Sequence, residues 1–259
     1  MTEALDRLAA RAEIVKLARV LGVSEQHLEF LQDVPAADIR TLRDQATETL
    51  HSAHQSVLRK LVSASGIIPV PVLVTLAQKA FGPLLSARLA GLLDGDRGVA
   101  IALKLPAPFL ADVAAELDPR RAGHIISGLP PDTVAAVSRE LRRREDWITL
   151  GRFVGGVPAE IAEAGLAELN ERQVLEVAFV VDDKSSLSAL VERQPAERCA
   201  AYAHAADEYD LWHALFDLLA HLDDDLRERL VAAGVGEDPD LSARARERAA
   251  ELGVESLLT

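Results

Sequence analysis

The stretch LPAPFLADVAAELDPRRAGHIISGLPPDTVAAVSRELRRR, from Leu105 to Arg144, holds three segments of one design. Each opens on proline, at Pro106, Pro119 or Pro131, and continues with apolar residues three and four positions apart. Proline fixes φ and lacks an N–H, so it suits the first turn of a helix and breaks the interior. These prolines therefore mark helix starts. In the first segment Phe109, Leu110, Val113 and Leu117 share one helical face.

The pattern extends downstream through Pro158 and Pro195. Where a proline is missing, polar residues suited to helix N-caps stand in: Glu145-Asp146, Asn170, Asp182-Asp183 and Asp207. Starts recur about every 12 residues, a helix length that is marginal alone because nucleation is costly. Such helices persist only by burying their apolar stripes against neighbours, and short turns make those neighbours antiparallel. The expected fold is all-α, a right-handed α-solenoid of short antiparallel helices, with a compact irregular bundle as the alternative.

Upstream, residues 2–21 and 36–63 read as longer helices, with a short one near Ser24 between them. Gly66-Ile67-Ile68-Pro69-Val70-Pro71 reads as a break before a helix restarts at Val72. The expected organisation is a long-helix region over 1–65, a helical-repeat solenoid over 66–235 and a charged capping helix over 236–259.

Composition narrows the functional classes. Hydrophobic residues make up 49% and charged residues 27%, as in folded globular proteins. Aromatics are only 4%, so Leu, Ala and Val must fill the core. The net charge of -13 repels phosphate backbones, so no nucleic-acid partner is expected. The segment 17–35 imitates a helix-turn-helix but would present Glu25, Glu29 and Asp33, which reads as a helix corner. The lone Cys199 fits a reducing compartment, and the first residues have no secretory pattern, so the cytoplasm is the expected location.

Leu105-Pro106, Leu117-Asp118-Pro119, Ala122, Leu129-Pro130 and Val134 form a pattern that resembles the intracellular N-terminal domain of magnesium transporters. It is also similar to helical segments of the flagellar motor-switch protein. The resemblance, over residues 105–200, implies an armadillo-like fold and a regulatory or protein-binding role, not transport.

Candidate sites are few. His213, Asp217 and His221 repeat at i, i+4, i+8 on a helix expected over 208–222, where neighbouring pairs could hold a divalent cation. The competing reading is a solvated helix face opposite the apolar one. Glu48, His51 and His54 make a second helical trio. Residues 66–93 are the most apolar part, and only Lys79 and Arg88 are charged there. Pro69, Pro71, Gly82 and Pro83 divide that stretch into two short helices. The first reading is a buried helix pair at the solenoid's start; in the alternative, Ile67, Ile68, Val70, Val72, Leu73, Phe81, Leu84 and Leu85 form an exposed patch that contacts an apolar ligand, lipid or partner. Arg142-Arg143-Arg144 suits a helix C-terminus. No nucleophile, phosphate-binding loop or carboxylate pair is specific enough to imply catalysis. The leading expectation is thus a non-enzymatic scaffold that binds another protein, without a cofactor. The first alternative is lipid, apolar-ligand or membrane-surface binding through 66–109, and the second is an enzyme whose site is dispersed in sequence.

Overall fold

The computed structural model describes residues 2–52, 55–155, 157–235 and 238–258, with seventeen α-helices and no β-strand among the described residues. The chain divides into two compact units, one of Met1–Thr47 with Leu169–Thr259, the other of Glu48–Glu168. This division departs from the three consecutive regions expected: the first and last parts of the chain share a unit. Packing of α1 on α15 and long-range ion pairs join the two parts, and neither is visible to local periodicity.

The chain begins with α1 (Thr2–Leu21), a 3₁₀ turn at Glu25–Leu31 and α2 (Ala36–Ser52). Residues 25–31 give no regular second helix, so the helix-turn-helix likeness ends at a corner. Next come α3 (Gln55–Ser65) and α4 (Val70–Leu76), then a π-helical turn at Ala77–Phe81 and α5 (Gly82–Ala90). Gly82 takes φ 69° and ψ 178°, a conformation essentially reserved for glycine. There the chain breaks, before Pro83, into the two short helices expected.

Then follow α6 (Gly95–Ala102), α7 (Ala107–Glu116), α8 (Pro119–Ile126), α9 (Pro131–Arg143), α10 (Trp147–Val154) and α11 (Ala159–Leu166). The proline markers hold: Pro106 and Pro158 occupy N-cap positions, while Pro119 and Pro131 are first helical residues. Asp146 caps α10 by accepting from the Thr149 N–H at 3.2 Å.

The remaining elements are α12 (Glu171–Phe179), a 3₁₀ turn at Lys184–Ser186, α13 (Leu187–Glu192), α14 (Ala196–Glu208), α15 (Trp212–Ala220), α16 (Asp224–Val235) and α17 (Pro239–Leu252). Asn170 and Gln173 form a reciprocal capping box on α12. Asp207 does not open a helix. It lies inside α14, and the chain turns instead at Asp210, whose φ is 53°.

Within the second unit, alternate helices are neighbours. α3 packs on α5, α5 on α7, α7 on α9 and α9 on α11, while α4 packs on α6 and α6 on α8. One buried cluster joins Ala87, Val113, Leu117, Ala122, Ile126 and Ile161. In the first unit α15 is central and touches α1, α12, α14 and α17. Its Trp212, Ala214, Leu215, Phe216, Leu218 and Leu219 are all buried. A further cluster binds α1 to α2 through Ile14, Leu17 and Ile39.

Candidate functional site

The interior of the second unit is not filled. A cavity of about 310 Å³ runs among its helices, lined by residues from Leu61 to Leu166. About 150 Å³ of apolar cavity suffices to stay dry and hold benzene, so this space accommodates a larger guest. Its walls come from α3, α5, α7, α9 and α11 on one row, from α4, α6 and α8 on the other, and from α10. Small residues open it: Ala90, Ala102, Ala114 and Ala162 face it where Leu would close it. Leu110, Leu129, Val134 and Val137 line it and are only half-buried.

Hydroxyls are the wall's only polar side-chain groups. Ser138 is buried in α9, and Ser86 lies on α5. Ser86 Oγ is closed to solvent and has no hydrogen-bond partner. An unsatisfied buried hydroxyl is costly, and here the wall offers an unused hydrogen bond.

The wall is held from outside. Arg152 donates to the carbonyls of Ala115, at 3.3 Å, and Leu117, at 2.6 Å, satisfying the last turn of α7. Arg144 pairs with Asp112 at 2.5 Å and with Glu140 at 2.8 Å. Arg142 donates to the Glu168 carbonyl, and Arg143 pairs with Glu140. The run sits at the end of α9, as the helix-terminus reading expected, and Arg142 and Arg144 also tie that end to neighbouring segments. Gly98 brings α6 against α8, where a Cβ would meet Ile125 Cδ1 at 2.3 Å.

The apolar candidates separate into three groups. Ile68, Leu73 and Phe81 line the cavity. Ile67, Val72 and Leu84 are exposed, Ile67 at 91%. Val70 and Leu85 are half-buried away from it. The cavity continues well past residue 109, into α8, α9 and α11. Those residues carried a helical-core signal, but periodicity says only which side chains face inward.

The histidine helix behaves differently from its sequence reading. Asp217 is buried, at 2%, and pairs with Lys184 instead of lying on a solvated face. His213 packs edge-on against Phe179, with ring centroids 5.0 Å apart. Burial, with Arg11 nearby, pushes the His213 imidazole down to about 4. His221 is bonded through Nδ1 to the Asp217 backbone carbonyl at 2.7 Å. Among the described residues no three His, Cys, Asp or Glu side chains gather as a metal site. The cause is central packing: α15 is covered on nearly every side, so its polar stripe meets protein. His54 and the side chains of His51 and Cys199 lie outside the described residues.

A buried ionic cluster in the first unit escaped the sequence reading altogether. Glu13 Oε1 accepts from Lys16 Nζ at 2.6 Å, and its Oε2 lies 3.1 Å from Arg43 Nη1. Asp182 Oδ1 lies 2.6 Å from Arg43 and 3.1 Å from Lys16. Beside it, Lys184 Nζ sits 5.5 Å from the Phe179 ring centroid and pairs with Asp217. Burial pushes the Lys184 ammonium below its ordinary value against the pull of Asp217. The charges balance within the cluster, which suits a structural clasp.

No protein-family model, curated protein or solved structure matches the chain.

Proposed function

We propose that the protein is a non-enzymatic binder of a single apolar chain of the fatty-acyl class, held inside residues 48–168. The observation that supports this reading is the 310 Å³ cavity, whose wall is hydrocarbon apart from two serine hydroxyls. Burying a methylene contributes about 0.8 kcal/mol, so roughly a dozen contribute about 10 kcal/mol gross. Association costs of about 4 kcal/mol leave roughly 6 kcal/mol, a Kd of tens of micromolar. On this reading the two rows of alternating neighbours are a right-handed α-solenoid, and the likeness to magnesium-transporter N-terminal domains is one of fold.

Titration of delipidated protein with the fluorescent fatty acid cis-parinaric acid tests the proposal. A saturable one-to-one isotherm that palmitate displaces supports it. A linear, non-saturating signal overturns it.

A second reading, a scaffold for another protein, is favoured by one observation. Successive short helices stacked on alternate neighbours give an extended surface that grows with each repeat. Affinity capture with the full chain tests it, and the absence of a reproducible partner overturns it.

A further inference from the structure

The acidic residues of this chain are unevenly placed. It holds 41 Asp and Glu, yet none occurs between Thr49 and Leu93. The same interval contains Arg59, Lys60, Lys79 and Arg88, so it is a basic island in a chain of net charge -13. Lys60 and Lys79 are exposed, on α3 and on the π-helical turn after α4. No carboxylate among the described residues pairs with either.

Exposed apolar side chains share this island. Leu61 is 43% exposed, Ile67 91%, Val72 47% and Leu84 49%. On the helical run from Val70, Val72, Thr75 and Lys79 follow at i, i+3 and i+7, and all three are exposed. One outward face thus combines an aliphatic residue with an ammonium. A soluble partner of ordinary composition explains the oily residues alone, whereas the local loss of every carboxylate points to an anionic surface. Apolar side chains that enter the interface and Lys that meets headgroups are the two halves of peripheral membrane binding.

The island also adjoins the cavity. Leu61 both lines the cavity and reaches solvent, and the exposed Ile67 and Val72 precede the cavity-lining Ile68 and Leu73. We infer that α3, α4 and the start of α5 dock the protein on an anionic lipid bilayer, with the cavity's wall facing the source of its acyl ligand. This inference rests on the acyl-binding reading for its purpose, but not for its test.

The test is flotation of the full chain with phosphatidylcholine vesicles and with vesicles that also contain phosphatidylglycerol, at low and high salt. Selective flotation with the anionic vesicles, weakened by salt, is expected. Each basic side chain near an anionic surface contributes about 1 kcal/mol, about fivefold in affinity. Lys60→Gln with Lys79→Gln should therefore weaken binding by roughly 25-fold or more, and Ile67→Ser should weaken it further. Equal binding to both vesicle types, no flotation, or a double variant that floats like the parent would overturn the docking face. Parinaric acid titration of the same double variant separates the two readings. Acyl binding retained by the double variant with its flotation lost supports docking through this island, while flotation of the parent with anionic vesicles and without acyl binding defeats only the cavity proposal.

Discussion

Arg43 Nη1 lies 2.6 Å from Asp182 Oδ1, joining α2 to the turn after α12 across 139 residues of sequence. The same guanidinium reaches Glu13 on α1. Truncating it strands Glu13, which is 2% exposed, with one fewer cation. Breaking a buried ion pair from one side costs about 3 kcal/mol or more. Arg43→Ala should lower the urea midpoint by a corresponding amount, whereas Asp182→Asn, at the more exposed end, should cost about 1 kcal/mol.

Acid should loosen this unit in two stages. His213 is held at about 4, below the ordinary value, so the unfolded chain takes up its proton first. Stability is therefore full above about pH 6.5 and falls as pH drops towards 4. His213→Gln should flatten Tm against pH over that window. At lower pH Asp182 follows. Burial would raise its carboxyl, but Lys16 and Arg43 hold it below the ordinary value. Its contribution is present above about pH 4 and is lost as pH falls through the lower folded value.

Gly98 and Ile125 should be energetically coupled. A methyl at Gly98 would lie 2.3 Å from Ile125 Cδ1 and 2.6 Å from Cγ1, so α6 and α8 must separate or Ile125 must move. Gly98→Ala should cost about 1–2 kcal/mol through overpacking. In an Ile125→Ala background that cost should vanish, which a double-mutant cycle by urea denaturation would show.

Ser86→Ala should stabilise the ligand-free protein. Its Oγ is closed to solvent without a partner, and removal of such a hydroxyl recovers about 1 kcal/mol. Thermal melts of delipidated protein check the sign.

Zinc should leave Tm unchanged. Asp217 is engaged by Lys184, and His213 faces Phe179 rather than its helical neighbours. A zinc-dependent rise in Tm would contradict this arrangement.

What was legible in the sequence was local. Pro106, Pro119, Pro131, Pro158 and Asn170 each mark a helix start because their chemistry acts within one turn. Asp207 misled because an acidic residue inside a helix looks like a cap. Here it pairs with Arg244 on α17, 2.9 Å away. Asp217 was read as solvated because its helix has a polar stripe, yet Lys184 meets that stripe from another segment. The Arg43–Asp182 pair has no local signature at all. The cavity was hidden for a further reason: helical spacing places Ala90, Ala114 and Ala162 inward, but only the separation of the rows decides whether they touch.

The most direct measurement is cis-parinaric acid binding to Ala114→Phe. Ala114 is buried on α7 and lines the cavity, so a phenyl ring there takes up space an acyl chain would need. The variant should keep its helical content while losing at least tenfold in affinity, about 1.4 kcal/mol. A folded Ala114→Phe protein that binds the fatty acid as tightly as the parent would contradict the cavity as the binding site.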